Sequence, residues 1–344
     1  MSSPGDIERI YLDSASGQRP STAIFELASP ILGASWNDGL AAHHDAKSVQ
    51  LTISLALETL ASAFKVKPEN ILPVHRLGNA IDLLAKQFPS ATVSKVSRKA
   101  AIDKFQGEKL DVDHLGRLQR TPTSGAVFFP AANQETGVIE NFANFEFSNA
   151  IRIVDATEWY GRTTREIPGE FLIARASSWG GPHSVCFIIS KDRKIDIDKR
   201  VLMSISPDTF NLLVAATAWE NLSDISELEK KTSETSKTIR DALSKIEAVR
   251  VHGDDNCLPH LISFDIENVD SESAAMAFDV EGISIGSGSA CGAESINSSH
   301  VLDAMEIQCS GNLRISMPLG FSSAELEYFL EKLPKVISKL TQTL

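Results

Sequence analysis

The hydrophobic residues of this chain form two kinds of pattern. Short, mostly apolar runs at residues 125–130, 151–155 and 171–176 predict strands. Longer stretches at residues 22–32 and 45–64 predict helices, and in the second of these the apolar positions are mostly spaced as on one helix face. Ser206 with Pro207 predicts the cap of a further helix, which runs through residue 219. This alternation of strands and helices predicts an α/β fold for the first half of the chain.

From about residue 247 onward, strands and helices are mixed in a smaller unit. Strands are predicted there from residue 249 and at residues 261–266, 283–285 and 313–317, and a helix is predicted at residues 271–280. Ser322 and Glu325 have the spacing of a capping box, which predicts the start of a terminal helix. We therefore expect a large α/β domain over residues 21–246 and a small α+β domain over residues 247–344.

Composition and charge restrict the class of protein. The chain is 42% hydrophobic and 23% charged, as is typical of soluble globular proteins, and its polar, acidic N-terminus predicts no signal peptide. No apolar run is long enough to cross a bilayer, and a net charge of −12 disfavours nucleic-acid binding. We therefore expect a cytoplasmic protein that binds neither membrane nor nucleic acid.

The four cysteines lie far apart in the sequence, without CxxC spacing, which favours reduced thiols over a disulfide frame or a metal site. One of them, Cys291, follows the small residues 286–290 and precedes a polar run and a helical pattern that begins at His300. Glycine and serine bury little apolar surface, so we expect Cys291 on an exposed, mobile loop tip. Most free cysteines are small apolar core residues, but these small and polar neighbours favour a functional thiol.

The residues GSGSAC, the polar run and SHVLDA resemble the active-site loop of cysteine desulfurases, in the branch with a long catalytic loop. The resemblance extends from residue 11 to about residue 333. It implies the fold type I architecture of pyridoxal phosphate (PLP) transferases: a mostly parallel seven-stranded sheet flanked by helices, plus a small α+β C-terminal domain. It also implies a homodimer, in which the N-terminal segment, residues 1–20, packs with the small domain.

In that family the loop cysteine attacks a cysteine–PLP adduct, becomes a persulfide and carries the sulfur to an acceptor. Three further positions match the family's site, and a fourth, Gln134, stands where the family has an asparagine. The resemblance implies that Asp155 pairs with the pyridine nitrogen, that Gln134 contacts the ring hydroxyl, that Arg314 binds the substrate carboxylate and that Asn37 lies near the substrate. An acidic residue at a strand end and an arginine in a strand are also common structural features.

Other positions depart from the family's pattern. Ser178 stands where the family has the Schiff-base lysine, Arg98 where a histidine stacks on the ring, and Glu158 where a glutamine follows the aspartate. His75 begins the sequence HRLGN in place of a turn of small residues that holds the cofactor phosphate. Serine has no amine, so we expect no covalently bound cofactor, although PLP is the cofactor of the family.

Three functions are compatible with these residues. The first is a desulfurase-like protein without PLP chemistry of its own, which holds or passes sulfur on Cys291 or acts as the non-catalytic partner of a desulfurase or a sulfur acceptor. The second is a PLP-dependent enzyme with an unusual site, and the third is a structural or interaction protein in which Cys291 is a relic. The number of altered positions favours the first function over the second. The sequence does not separate the first from the third.

Overall fold

The computed structural model describes residues 9–37, 39–146, 148–191, 204–287 and 299–342. Within these residues, seven strands form the larger of two sheets, in the order β2-β8-β7-β6-β5-β3-β4. The strands are β2 Ile71–His75, β3 Thr92–Ser94, β4 Lys109–Leu110, β5 Ala126–Pro130, β6 Ile151–Asp155, β7 Phe171–Arg175 and β8 Val185–Ser190. Strands β4, β3, β5, β6 and β7 are parallel, whereas β8 is antiparallel to both β7 and β2. The prediction of a mostly parallel seven-stranded sheet is confirmed.

The strands of this sheet are buried on both faces. Every residue of β5, β7 and β8 is buried. Neighbouring residues such as Phe128 and Phe129 belong to different apolar clusters, because successive side chains of a strand point to opposite faces of a sheet. Layers on both sides of a largely parallel sheet explain why the sequence shows mostly apolar runs here, not alternating ones.

The helices predicted at residues 22–32, 45–64 and 271–280 are present, with ends within two residues of those positions. The α-helices in the described residues are α1 Thr22–Ala34, α2 His44–Phe64, α3 Leu77–Gln87, α4 Lys99–Lys104, α5 Thr209–Glu220, α6 Ile225–Ser244, α7 Ser271–Val280, α8 His300–Ala304 and α9 Ser323–Gln342. One predicted start was wrong. The pair Ser206-Pro207 suggested a helix cap, but Asp208 is the N-cap of α5, because its carboxylate accepts a hydrogen bond from the amide of Asn211 at 2.8 Å.

Five strands form the smaller sheet, in the order β1-β11-β12-β10-β9 within the described part of the chain. They are β1 Ile10–Leu12, β9 Val249–His252, β10 Leu261–Ile266, β11 Ile283–Ser287 and β12 Asn312–Ser316. Strand β1 is parallel to β11, and Ile10 and Leu12 are buried in the same cluster as Phe264 and Phe329. The beginning of the chain thus completes the core of its C-terminal part. The residues at which one domain passes into the next stay predictions.

Two helix starts in this part follow the predicted capping chemistry. The hydroxyl of Ser299 accepts from the amides of Val301 and Leu302, and so caps α8. The capping box of α9 is confirmed, since the amide of Glu325 donates to Ser322 and the amide of Ser322 donates to the Glu325 carboxylate. Among the helices that the structure describes, none has the length and apolar content needed to span a bilayer.

Candidate active site

The residues predicted around the cofactor gather at one edge of the larger sheet. Strands β6 and β7 are parallel and end there, at Asp155 and Arg175. Strand β2 runs antiparallel to β8 and ends at the same edge, where His75 lies opposite Val185. The carboxyl ends of parallel strands are the usual place for ligand sites in open α/β sheets, because several loops converge there.

Asp155 forms an ion pair with Arg98 at this edge. The Nε of Arg98 donates to Oδ2 of Asp155 at 2.9 Å, and its Nη2 donates to the hydroxyl of Thr157 at 2.8 Å. The other carboxylate oxygen of Asp155, Oδ1, accepts from the amide of Thr157 at 3.0 Å and from its hydroxyl at 2.6 Å. Only 4% of the Asp155 side chain is exposed, so both of its oxygens are engaged inside the protein.

Glu158 is a second buried carboxylate, surrounded by cationic groups. Its Oε1 pairs with Arg175 and lies 3.5 Å from Nη2 of Arg98, and its Oε2 lies 3.7 Å from Nε2 of His260. Burial by itself would raise the pKa of Glu158, but the charge of Arg175, the contact with His260 and the charge of Arg98 together lower that pKa to about 2. Glu158 is therefore the shared counter-ion of two arginines.

His260 and Arg162 extend this cluster toward the smaller sheet. Burial, followed by the charge of Arg162, lowers the pKa of His260 to about 4, so its ring is neutral at pH 7. The Nη1 of Arg162 donates to the carbonyl of Met317 at 3.0 Å, and Arg175 donates to the carbonyl of Ala15 at 3.0 Å. The cluster thus connects the carboxyl edge of the larger sheet with the N-terminal segment and the residues after β12.

Ser178 lies in a 3₁₀ turn, Ala176–Trp179, that directly follows β7. Its side chain is 3% exposed, and its hydroxyl donates to the backbone carbonyl of Thr157. The neighbouring Ser177 is also buried, and its hydroxyl has no hydrogen-bond partner among the described residues. The structure therefore brings Ser178 next to the loop that follows Asp155, as the family resemblance implied for the residue at this position.

His75 ends β2 and leads into helix α3. The side chain of Asn79 donates to the carbonyl of His75 at 2.6 Å. Arg76 is the N-cap of α3 in a conformation with φ of 66°, and its side chain makes no capping hydrogen bond. Nearby, burial and then the charges of Arg175 and Arg98 lower the pKa of His183. Basic side chains therefore lie at the mouth of the site, where α3 begins.

Arg314 and Gln134 meet on the side of the site that faces the smaller sheet. The Nη1 of Arg314 donates to the backbone carbonyl of Gln134 at 3.2 Å, and its Nη2 donates to Asp13 at 2.8 Å and to Ser16 at 3.2 Å. The side chain of Gln134 is buried, and its Oε1 has no partner among the described residues. Two of the predicted site residues are thus brought together, with Asp13 as the counter-ion of the arginine.

Comparisons with known proteins agree with this architecture. Residues 206–329 match the family model Aminotransferase class-V. The chain is 25% identical to the cysteine desulfurase IscS of Dictyoglomus turgidum, in an alignment that covers 96% of this chain and 95% of that protein. The chain is thus similar to cysteine desulfurases over almost its whole length and to class V aminotransferases over residues 206–329.

Solved structures share the fold of this chain at low sequence identity. A NifS-like protein is 19% identical and has a TM-score of 0.82, over 96% of this chain and 100% of the other. A NifS-like protein from Rickettsia africae is 18% identical and has a TM-score of 0.81, over 96% and 99% of the two chains. The fold type I architecture predicted from the sequence is confirmed.

The predicted nucleophile of the desulfurase-type loop, Cys291, lies outside the described residues. Described residues on both sides of residues 288–298 contact the site. Before that segment, Gly286 lies so close to Arg314 that an added Cβ would be 2.8 Å from Oδ1 of Asp13 and 3.2 Å from Nη2 of Arg314. After it, Nε2 of His300 lies 2.9 Å from the carbonyl of Ser97, the residue before Arg98.

One further residue at this place was not predicted from the sequence. Glu135 is buried, and its Oε2 accepts from the hydroxyl of Ser299 and, at 3.2 Å, from Nδ2 of Asn312. Burial raises the pKa of Glu135. In the sequence, only its position beside Gln134 could have indicated that Glu135 belongs to the site. Its partner Ser299 lies 164 residues further along the chain.

Asn37 is not brought to these residues by any described contact. Its Oδ1 accepts from the amide of Gly39 at 2.8 Å, and its carbonyl accepts from the hydroxyl of Thr209, at the start of α5, at 3.4 Å. These contacts place Asn37 in a turn packed against α5. Its role near the substrate stays a prediction from the desulfurase resemblance.

Proposed function

We propose that this chain is a cysteine desulfurase homologue without PLP chemistry of its own. It receives sulfur from a desulfurase as a persulfide on Cys291 and passes that sulfur to an acceptor. The observation that carries the proposal is the ion pair between Arg98 and Asp155, which engages the carboxylate that the family uses for the cofactor ring. By the same family resemblance, we propose that it is a cytoplasmic homodimer.

The residues of the site do not fit PLP. The cofactor needs a free carboxylate at its ring nitrogen and an amine for the Schiff base. Asp155 is already paired with Arg98, and displacing Arg98 from Asp155 would leave a guanidinium whose side chain is only 18% exposed without that partner. Ser178 supplies a hydroxyl, and that hydroxyl is bonded to the carbonyl of Thr157.

Among the described residues, the two lysines nearest to Arg98 in the sequence are engaged in ion pairs. Lys95 and Lys99 are the lysines closest to Arg98 in the sequence, and they pair with Asp111 and Asp103. The phosphate end of the site is altered as well, since the bulky Arg76 stands at the N-cap of α3, where close approach of an anion to the backbone requires small residues. The reaction proposed for this chain therefore involves no step on PLP.

Transfer of a sulfane sulfur to Cys291 requires no cofactor. The Cys291 thiol first loses its proton, and the thiolate attacks the terminal sulfur of a donor persulfide. A new sulfur–sulfur bond forms at Cys291, the sulfur–sulfur bond of the donor breaks, and the donor leaves as a thiolate that can take up a proton. No net oxidation occurs, and delivery to an acceptor thiol repeats the same exchange.

The other three cysteines are poorly suited to this chemistry. Burial raises the pKa of Cys186 to about 12, and burial also raises the pKa values of Cys257 and Cys309. A raised thiol pKa leaves little thiolate at neutral pH, and the thiolate is the form that attacks a persulfide. Cys291 is the remaining candidate, and the residues that flank its segment contact Arg314 and Ser97.

A non-catalytic partner role is the second candidate. The cluster of Glu158, Arg175 and Arg98 favours it, because these charged side chains hold the site together with contacts inside the protein. A partner of this kind would bind a desulfurase or a sulfur acceptor without carrying sulfur. The two candidates differ in whether Cys291 becomes a persulfide.

The absorption spectrum of the purified protein, recorded with and without added PLP, tests the cofactor part of the proposal. Borohydride reduction followed by peptide mapping should find no pyridoxyl-lysine, whereas an active cysteine desulfurase treated in parallel should carry one. A stoichiometric adduct on any single lysine of this chain would contradict the proposal.

A further inference from the structure

A large open cleft lies at the opposite edge of the larger sheet from Asp155. Its volume is about 1120 Å³, slightly above the range of roughly 300–1,000 Å³ that is usual for small-molecule sites. Asn70, just before β2, and Lys191, just after β8, lie on its wall. The candidate active site lies at the other end of these two strands, about 16 Å away for a five-residue strand. This end of the cleft is therefore remote from that site, whereas its other wall includes Trp159 and Tyr160, which directly follow Glu158 in the chain.

Aromatic side chains form one wall of this cleft. Phe64, Tyr160 and Trp219 line it, and their rings pack together, with centroids 4.7 Å apart for Phe64 and Tyr160 and 6.0 Å apart for Phe64 and Trp219. The Tyr160 hydroxyl has no hydrogen-bond partner among the described residues, although a largely buried tyrosine usually finds one. Burial raises the pKa of Tyr160, so the phenol keeps its proton and remains a donor.

The rim of the cleft is basic in a protein of net charge −12. Four basic residues and two acidic residues line it: Lys65, Lys67, Arg165, Lys191, Glu69 and Glu166. Lys65 pairs with Glu166 at 3.0 Å, and Lys191 donates to the carbonyl of Ile167 at 2.8 Å. Lys67 makes no ion pair or hydrogen bond to another described side chain. Its ammonium group is therefore available to an anion.

We infer that this cleft binds a small anion that carries a planar aromatic ring. The ring would lie against the wall of Phe64, Tyr160 and Trp219, since offset or edge-on aromatic contacts add to the burial of apolar surface. An acceptor group of the ligand would accept a hydrogen bond from the Tyr160 hydroxyl, and the negative charge of the ligand would lie near Lys67. The inference does not depend on Cys291 or on sulfur transfer.

A fluorescence titration with 8-anilinonaphthalene-1-sulfonate, an aromatic sulfonate, tests the inference. The neutral amine N-phenyl-1-naphthylamine serves as a probe with the same aromatic body and no charge. We expect one saturable site for the sulfonate. Lys67→Glu should weaken sulfonate binding about fivefold, as expected for reversal of one charge near the ligand, and leave binding of the neutral probe unchanged. Tyr160→Phe should also weaken sulfonate binding.

Lys86→Glu provides the matched control, because Lys86 lies in the last turn of α3 and not on the wall of the cleft. Thermal unfolding of each variant verifies that it is folded. Equal weakening by Lys67→Glu and Lys86→Glu would overturn the inference, since it would show only a general effect of charge. A sulfonate titration that does not saturate in the folded wild-type protein would overturn it as well.

Discussion

The side chains of Arg98 and Asp155 are 57 residues apart in the sequence, and they form a hydrogen-bonded ion pair of 2.9 Å at the carboxyl edge of the larger sheet. In the desulfurase family the aspartate at this position is reserved for the cofactor ring. Here its second oxygen is also engaged, by Thr157. Under the proposed function, this pair explains how the site is held together without a cofactor, and it makes the consequences of single substitutions predictable.

Ser178→Lys alone should not create a PLP enzyme. Asp155 would still be paired with Arg98, and the start of α3 would still carry Arg76. Correct positioning contributes about 7–11 kcal/mol to reactions of this kind, so one added amine in a misaligned site gains little. The measurement is sulfide release from free cysteine in the presence of PLP. Turnover at the rate of an ordinary enzyme would show that the site accepts the cofactor after all.

Glu158→Gln should destabilise the protein strongly. The substitution removes the counter-ion of Arg175 and weakens the environment of Arg98, and loss of one partner of a buried ion pair costs about 3–5 kcal/mol. Urea unfolding at pH 7 measures the effect. Glu166→Gln is the matched control, because that carboxylate is 83% exposed in its pair with Lys65, and its loss should cost less than about 1 kcal/mol. Equal effects of the two substitutions would contradict the prediction.

The stability of the protein should fall as the pH decreases from about 6.5 to about 4, because of His260. The folded state holds the pKa of His260 at about 4, below its ordinary value of 6.5, so the unfolded chain binds more protons in this range. Stability is therefore full above pH 6.5 and decreases toward pH 4, by up to about 3 kcal/mol. Unfolding measured at several pH values tests this, and in His260→Gln the unfolding free energy should depend less on pH between 4 and 6.5. The same pH dependence in His260→Gln and the wild type would show that other titratable groups cause it.

Gly286→Ala should disturb the pair of Arg314 and Asp13. An added methyl group would lie 2.8 Å from the Asp13 carboxylate and 3.2 Å from the Arg314 guanidinium. Such overpacking costs about 1–3 kcal/mol. Gly33→Ala is the control, since nothing lies within 4 Å of the added group in α1, and alanine favours a helix by up to about 1 kcal/mol. Thermal unfolding should thus move the two variants in opposite directions. A Gly286→Ala variant as stable as the wild type would contradict the expected clash.

The sequence was sufficient to predict the larger sheet and the helices at residues 22–32, 45–64 and 271–280. Strand ends and caps are local features, so Asp155 at the end of β6 and Ser299 at the start of α8 could be inferred from their neighbours. The partners of these residues could not. Glu158 meets His260, and Ser299 meets Glu135, only because distant parts of the chain are brought together by the fold. No pattern within one segment specifies such contacts.

The cap of α5 shows the same limit on a smaller scale. Ser206-Pro207 and Asp208 are both plausible N-caps by residue type, and the choice depends on which side chain reaches the amide of Asn211. A two-residue shift of this kind leaves the fold unchanged. A comparable ambiguity at the site matters more, because whether Arg98 stacks on a ligand or pairs with Asp155 decides what the site can bind.

The most direct test of the proposed function is to map persulfides after incubation with an active cysteine desulfurase and cysteine. We expect a persulfide on Cys291 of the wild-type protein. It should be absent in Cys291→Ser and retained in Cys309→Ser. We expect no persulfide when the protein is given only cysteine and PLP. A persulfide formed from cysteine and PLP without the donor enzyme would contradict the proposal that this chain has no PLP chemistry of its own. A sulfur label that persists on Cys257 or Cys309 in Cys291→Ser, or no label on any cysteine, would contradict the assignment of Cys291 as the sulfur carrier.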